Sequence, residues 1–470
     1  MNIYFVLHED WRYSEHLGIM SLSSILRMAG HKVDIVEAQC DRIIKRVKNN
    51  NFAILAYSAN SLNIGYYLSL NRKLKKEVNA LSLFGGPHPT HFPEIINEAG
   101  VDGVCIGEGD YALLDLVNNL AEDKPITQIA NWWIKHDGRI FRSPSRPLIN
   151  NLDSLPFADR TLFPHHRAIS IMTSRGCVFK CAYCQHRVEF RRRSVENVIE
   201  ELRGVKARTN ARTVYFSDSI FNVSLPWLRD FSEKYRKEIN LPFNCYVHAN
   251  LVTPESMEYL KEAGCFSVGM SIETANDYLR NEVLKKGISK EQIISAVQII
   301  KRNKIKLKTS NLIGIPLGSL KDDLDTLRFN IQCGSKYATA LPLFIHRNTD
   351  IYRFLIKNPR FKNRFKHLEM SPQDNLYIYW EKGGNIEEMR EILNLYKLFS
   401  WVASLPFLFP LLPFLIKLPL SRIYTILWIL WYRGYLHFFF WGGNFRDLRK
   451  SIIGMKKYLK IILRVLIKGI

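Results

Sequence analysis

The segment Thr173-Ser174-Arg175-Gly176-Cys177-Val178-Phe179-Lys180-Cys181-Ala182-Tyr183-Cys184 sets three thiols at C-x3-C-x2-C spacing on one short loop. Zinc normally takes four protein ligands or keeps one position open. Three thiolates from one loop suit a cubic iron–sulfur cluster in which one iron lacks a protein ligand. Such an iron can bind a small chelating molecule, and Tyr183, just before the last cysteine, is placed to cover that molecule from water. Cys40, Cys105, Cys245, Cys265 and Cys333 show no such spacing and are expected to be free thiols. The start, MNIYFVLHEDWRYSEH, has neither the basic n-region nor the apolar h-region of a secretory signal. A reducing cytoplasm is expected, where thiols stay available as ligands.

A ligand loop needs a frame. Ile169–Thr173 reads as a strand leading into it, and Ser194–Ala207 as a helix N-capped by Ser194. Strands at Thr213–Ser217, Asn244–Ala249, Phe266–Ile272, Lys306–Ile313 and Thr339–Phe344 alternate with helices near Leu225–Ile239, Pro254–Ala263, Lys290–Asn303 and Lys321–Cys333. That rhythm predicts an incomplete parallel barrel. The first 125 residues carry another β-α-β series, with strands at Asn2–Leu7, Lys32–Glu37, Ala53–Tyr57, Leu81–Phe84 and Gly103–Ile106. Glycines follow its later strands in Gly85-Gly86-Pro87-His88 and Gly107-Glu108-Gly109-Asp110, at the edge where doubly wound sheets bind ligands. A hairpin over 132–142 and then Pro144, Pro147 and Pro156 mark a connector. The expected fold is α/β. A doubly wound, Rossmann- or flavodoxin-like domain (1–130) is followed by the connector (131–164). A partial (β/α)6 TIM-type barrel (165–345) and a mostly helical, apolar C-terminal region (346–470) complete it.

The cysteine spacing, after a strand and at the mouth of a barrel, resembles the radical S-adenosylmethionine superfamily. The resemblance runs from about residue 165 to 345 and implies a 4Fe–4S cluster on Cys177, Cys181 and Cys184. It further implies that the methionyl amine and carboxylate of S-adenosylmethionine chelate the fourth iron. One electron, from a ferredoxin or flavodoxin, then yields a 5′-deoxyadenosyl radical. Tyr215-Phe216-Ser217-Asp218-Ser219-Ile220-Phe221 is similar to the strand end that binds the methionyl amine, which makes Asp218 its candidate acceptor; a helix N-cap is the bland alternative. Met270-Ser271-Ile272-Glu273-Thr274 resembles the ribose-contacting motif, with Glu273 as acceptor; a surface carboxylate is the alternative. Leu312-Ile313-Gly314-Ile315-Pro316-Leu317-Gly318 is similar to the segment beside the adenine, and Gly314 is its candidate. Two segments depart from the pattern. Tyr246-Val247-His248-Ala249-Asn250 stands where relatives often carry arginine and aspartate, with His248 read as a satisfied core histidine. Arg347-Asn348-Thr349 stands where they often show Pro-Gly-Thr.

Glu15-His16-Leu17-Gly18, Gly85-Gly86-Pro87-His88-Pro89-Thr90 and Val104-Cys105-Ile106-Gly107-Glu108-Gly109-Asp110 look like the cobalamin-binding domain that precedes many such enzymes. The resemblance covers residues 1 to about 125 and implies bound cobalamin, with Ser58, Gly85 and Gly86 lining its pocket. The D-x-H-x-x-G string that supplies a cobalt ligand elsewhere is missing. His8, His88 and His91 read as turn or surface histidines, and Arg191-Arg192-Arg193 as a solvated tract.

The chain carries a formal charge of +22. From Leu395 to Ile470 twelve Lys or Arg face one acid, Asp447. Leu398–Ile416 holds no charge, but Pro406, Pro410 and Pro413 interrupt it. Ile423–Tyr432 is a shorter apolar run, and Arg449–Ile470 has the pattern of a basic amphipathic helix. A lipid surface at the inner face of the membrane is the expected partner, and a helical cap whose apolar face is simply core is the alternative. The function expected from these features is cobalamin-dependent C-methylation of a hydrophobic, lipid-like or tetrapyrrole-like molecule. Radical ring closure, carbon–carbon coupling or oxidation without methyl transfer is one alternative. RNA modification is another, disfavoured because the tail is apolar rather than a small strand-rich barrel. A non-catalytic membrane-anchored cluster protein is the third.

Overall fold

The computed structural model describes residues 1–8, 15–48, 52–163, 168–186, 188–359 and 386–440, the last stretch and 386–388 partly as backbone alone. The expected Arg449–Ile470 helix lies outside the described residues. Two compact units emerge: residues 1–172 with 191–210, and 173–190 with 211–364 and the described C-terminal helices.

The first unit is built on seven strands: β1 (Asn2–Leu7), β2 (Lys32–Glu37), β3 (Ala53–Ser58), β4 (Ala80–Gly85), β5 (Gly103–Cys105), β6 (Trp132–His136) and β7 (Arg139–Arg142). Their order is β2-β1-β3-β4-β5-β6-β7. The first five pair in parallel, in the 2-1-3-4-5 order of flavodoxin-like sheets, and the expected hairpin β6–β7 extends the sheet antiparallel. Helices cover both faces. Thus Ile3, Phe5 and Leu7 of β1 enter one core, while Tyr4 and Val6 enter the other.

Here the tract Arg191–Arg193 departs from expectation. Arg191 is buried and grips both carboxylate oxygens of Glu108, at 2.8 and 3.1 Å. Arg193 reaches Glu201 at 2.7 Å, and Arg160 bridges Glu201 and Glu15 at 3.0 and 2.8 Å. The fork-shaped guanidinium suits such bidentate pairs, and partners distant in sequence bury a run that reads locally as solvated. His88 is also buried rather than superficial, with Nδ1 3.0 Å from Ser61 Oγ.

The chain leaves this unit after β8 (Ala168–Ile171). Short extended pieces, β9 (Ser174–Arg175) and β10 (Arg191–Arg192), flank the cysteine loop. In the second unit β11 (Thr213–Phe216), β12 (Phe243–Val247), β13 (Cys265–Glu273), β14 (Lys306–Ile313) and β15 (Tyr337–Pro342) pair in parallel in chain order. That progression, with a helix after each of β11 to β14, is a partial β/α barrel. Behind β11 the rings of Phe216, Phe221, Phe231, Tyr235 and Phe243 interlock at centroid distances of 4.7–6.2 Å. Edge-to-face packing of this kind is rigid and fixes the strand end that carries Asp218.

The apolar run 398–416 does not form one helix. A helix over Ile386–Ser404 ends before Pro406, a 3-10 turn follows at Pro406–Leu411, and Leu412–Leu415 is a single helical turn. Proline removes the hydrogen bonds a longer helix would need. Leu395, Phe399, Val402, Leu412 and Ile416 pack on Ile313, Leu327 and Ala338, so part of the run is core of the second unit. Ile423–Tyr432 falls within a longer helix, Ser421–Phe440. No helix among the described residues is long and apolar enough to cross a membrane.

Candidate active site

The cysteine loop starts from a left-handed Gly176, φ +82°. A Cβ there would sit 2.2 Å from the Glu189 carbonyl oxygen, so only glycine lets the two chain segments pass. The Cys177 N–H then bonds the Val188 carbonyl at 3.2 Å. Backbone N–H groups point at two sulfurs: Phe179 at Cys177 Sγ (3.5 Å) and His186 at Cys184 Sγ (3.3 Å). Cys181 is buried; burial raises its thiol, Lys286 opposes the rise, and the charges of Cys184 and Cys177 both reach it. Among the described residues no three ligands converge as a cage for a single ion. A cubic cluster needs no such cage, because each thiolate binds a different iron corner. N–H donors to sulfur and a nearby ammonium stabilise thiolate charge, so the loop fits a cluster.

Tyr183 and Glu273 are brought together. The phenol donates to Glu273 Oε1 at 2.6 Å, and burial, then the Glu273 charge, hold its pKa far above the ordinary tyrosine value. It is a permanent donor. Lys286 donates to the same oxygen at 2.8 Å. This lysine escaped the sequence reading, since nothing in Lys285-Lys286-Gly287 sets it apart from a solvated turn. Burial alone would push its ammonium down, but Glu273 and the thiols of Cys181 and Cys177 outweigh that and hold it above the usual lysine value. A fully buried Arg280 positions it: the guanidinium binds the Thr274 and Ile288 carbonyls, both at 2.7 Å, and pairs with Asp277. The Lys286 N–H returns to the Arg280 carbonyl at 2.9 Å. Glu273 itself sits at φ +68°, at the bulge that ends β13.

Asp218 has another set of partners. Its carboxylate accepts from the Thr173 N–H (3.0 Å), the Thr173 hydroxyl (2.9 Å) and the Ser174 hydroxyl. It does not cap the following helix, which Ser224 caps. Gly314, φ +65°, ends β14 and gives its N–H to Asp323 at 3.0 Å. His248 is not the satisfied core histidine expected: its ring stacks on Phe179 of the cysteine loop at 3.5 Å, and its Nε2 has no partner.

In the first unit Ser58, Gly85 and Gly86 meet at the carboxyl edge. The Ala59 N–H bonds the Gly85 carbonyl at 2.8 Å, and Ser58 is exposed at the end of β3. Gly86 has φ +98°, and a Cβ on it would lie 2.9 Å from the Ala59 carbonyl oxygen. The switch point of this strand order lies between β1 and β3, where flavodoxin-like sheets receive ligands. A glycine-lined edge with an exposed hydroxyl fits a large planar cofactor lying close to the backbone.

The chain matches the B12 binding domain family over residues 12–117 and the Radical SAM superfamily over 171–329. It is 27% identical over 400 residues to an uncharacterised methyltransferase of Pyrococcus horikoshii, covering 80% of this chain and 83% of that one. It is 23% identical to the cytidylyl-2-hydroxyethylphosphonate methyltransferase of Streptomyces wedmorensis, over 55% of this chain and 56% of that one. Its fold is similar to the methyltransferase TsrM of Kitasatospora setae, solved with cobalamin and a [4Fe-4S] cluster, with a TM-score of 0.65 at 15% identity over 82% of this chain and 86% of the other. Thiol loop, partial barrel and flavodoxin-like sheet thus agree with both matches: the chain is a radical S-adenosylmethionine enzyme that carries an N-terminal B12-binding domain.

Proposed function

We propose that the chain carries out cobalamin-dependent methyl transfer, opened by reductive cleavage of S-adenosylmethionine at a 4Fe–4S cluster held by Cys177, Cys181 and Cys184. The observation that carries this reading is the thiol loop with its N–H donors and the buried Lys286 beside it, in a chain that also has a B12-binding domain. A bound cluster, S-adenosylmethionine and cobalamin, given one electron from a ferredoxin or flavodoxin, would supply a 5′-deoxyadenosyl radical and a transferable methyl. The protein's residues hold and shield. Tyr183 and Lys286 fix Glu273, which is left a lone-pair face for ribose hydroxyls. Asp218 clamps the entrance of the loop through Thr173 and Ser174, and in this reading it also meets the methionyl amine. Gly314 lets the backbone approach the adenine. Ser58, Gly85 and Gly86 line the cobalamin edge. The divisions at 130, 164 and 345 belong to the same reading.

Anaerobically purified protein should contain iron, sulfide and cobalamin. With reductant and S-adenosylmethionine it should form 5′-deoxyadenosine together with a methylated product. Deoxyadenosine without any methylated product from a broad extract of small molecules and lipids overturns the methyl-transfer reading and favours ring closure or coupling.

The substrate we propose is hydrophobic and met at an anionic membrane surface on the cytoplasmic side. Support comes from Phe407, Leu411 and Phe414, exposed at 73%, 56% and 66% on the broken proline segment, with Lys417 next to them. Large exposed side chains in one stretch mark contact with another apolar phase. Sedimentation with vesicles of anionic phospholipid tests this, and Phe407→Ser/Phe414→Ser should abolish it. Equal recovery of the wild type with and without vesicles refutes it.

A further inference from the structure

His248 directly follows β12, whose neighbours are β11, which leads to Asp218, and β13, which ends at Glu273. Its backbone N–H donates to Asn222 Oδ1 at 3.1 Å, and its Nδ1 accepts the Asn250 N–H at 3.4 Å. Those two bonds settle the orientation of both side chains. A neutral imidazole whose Nδ1 accepts carries its proton on Nε2. An asparagine whose oxygen accepts turns its NH2 the other way. Both of these donors, His248 Nε2 and Asn222 Nδ2, are without a partner, on residues 5% and 3% exposed. Burial, then the Lys286 charge, lower the His248 pKa to about 3, so the ring stays neutral with a single ring proton. Leaving two buried donors unpaired is costly, and such a pair is satisfied by a water, an ion or a ligand. The ring also stacks on Phe179, midway between Cys177 and Cys181.

Among the groups assigned to S-adenosylmethionine, Asp218 and Glu273 are acceptors. They suit the N–H and O–H donors of its amine and ribose and repel its carboxylate. The carboxylate needs donors. We propose that His248 Nε2 and Asn222 Nδ2 form a two-donor site that takes an oxygen of the methionyl carboxylate of S-adenosylmethionine. This rests on the radical S-adenosylmethionine reading of the cysteine loop and adds the residues that recognise one end of the cofactor. Neither His248 nor Asn222 lies in the cysteine loop itself.

The test is equilibrium dialysis of cluster-loaded protein, anaerobic and without reductant, against S-adenosylmethionine and, separately, decarboxylated S-adenosylmethionine. His248→Phe keeps the stacked ring, and Asn222→Asp keeps the acceptor for the His248 N–H. Each should weaken S-adenosylmethionine about 10- to 150-fold, the worth of a buried hydrogen bond to a charged group, and leave the decarboxylated compound unchanged. His248→Gln, which restores an amide donor, should recover most of the loss. Iron content and melting temperature identify any variant that fails to fold, and the other of His248→Phe and Asn222→Asp then carries the comparison. Equal weakening of both compounds, or none of either, overturns the proposal. Failure of the cluster-loaded wild type to bind S-adenosylmethionine would instead overturn the reading on which it rests.

Discussion

Replacing Lys286 by methionine isolates what the buried ion pair contributes. The Lys286 and Glu273 side chains are 7% and 5% exposed and lie 2.8 Å apart. Methionine keeps the length and apolar stem of lysine and removes the charge. Glu273 would then be a buried carboxylate with the Tyr183 hydroxyl as its remaining donor. Taking one partner from such a pair costs about 3–5 kcal/mol, chiefly because the other charge is stranded in a poor solvent. In a unit of this size each kcal/mol moves the melting temperature by about 2–4 °C, so the variant should melt roughly 6–20 °C lower. Lys286→Met/Glu273→Gln removes the stranded charge as well and should regain at least half of that drop. The assay is thermal unfolding by circular dichroism near neutral pH on iron-matched samples. A single variant within about 2 °C of wild type, or a double variant no more stable than the single, refutes the argument.

Other outcomes follow from the same geometry. Serine at Cys177, Cys181 or Cys184 should each reduce bound iron to a small fraction and remove the cluster's paramagnetic signal, whereas serine at Cys333, buried at the end of the helix Leu320–Gln332, should leave iron loading intact. Gly176→Ala should lower iron loading as severely as a ligand change, since its Cβ would strike the Glu189 carbonyl; normal iron content would show that the backbone can yield there. His248 is held neutral by burial and by Lys286, with its pKa lowered from 6.5 to about 3. Between those values the unfolded chain binds a proton that the folded chain refuses, so this contribution is full above about pH 6.5 and is lost as pH falls towards 3. His248→Phe should therefore lose less stability than wild type between about pH 7 and about pH 5 in urea titrations, and equal losses would count against the assignment.

Features written in local spacing were the legible ones. The thiol loop, the capped helix after Ser194, and strands such as Lys306–Ile313 depend on neighbours within a few residues, so periodicity and turn residues reveal them. What the sequence concealed depends on partners brought in from afar. Arg191 finds Glu108 across 83 positions, and Tyr183 finds Glu273 across 90. The same distance hides why Asp218 is no cap: its donors, Thr173 and Ser174, lie on the far side of the cysteine loop. Lys286 was missed for a related reason. Its burial follows from the Arg280 scaffold, and arginine in a polar stretch ordinarily signals a surface. The apolar run before Lys417 was legible as broken, from its prolines, but not as half core and half exposed.

The clamp of Thr173 and Ser174 on Asp218 bears on how the metal arrives. Many small metal sites are unfolded until the ion binds, and the ion then bears the whole cost of ordering them. Here hydrogen bonds between protein groups alone, from one strand end to another, tie down the approach to Cys177. The polypeptide's own contacts therefore order the entrance of the loop, and the metal has only the thiol segment beyond Gly176 left to hold.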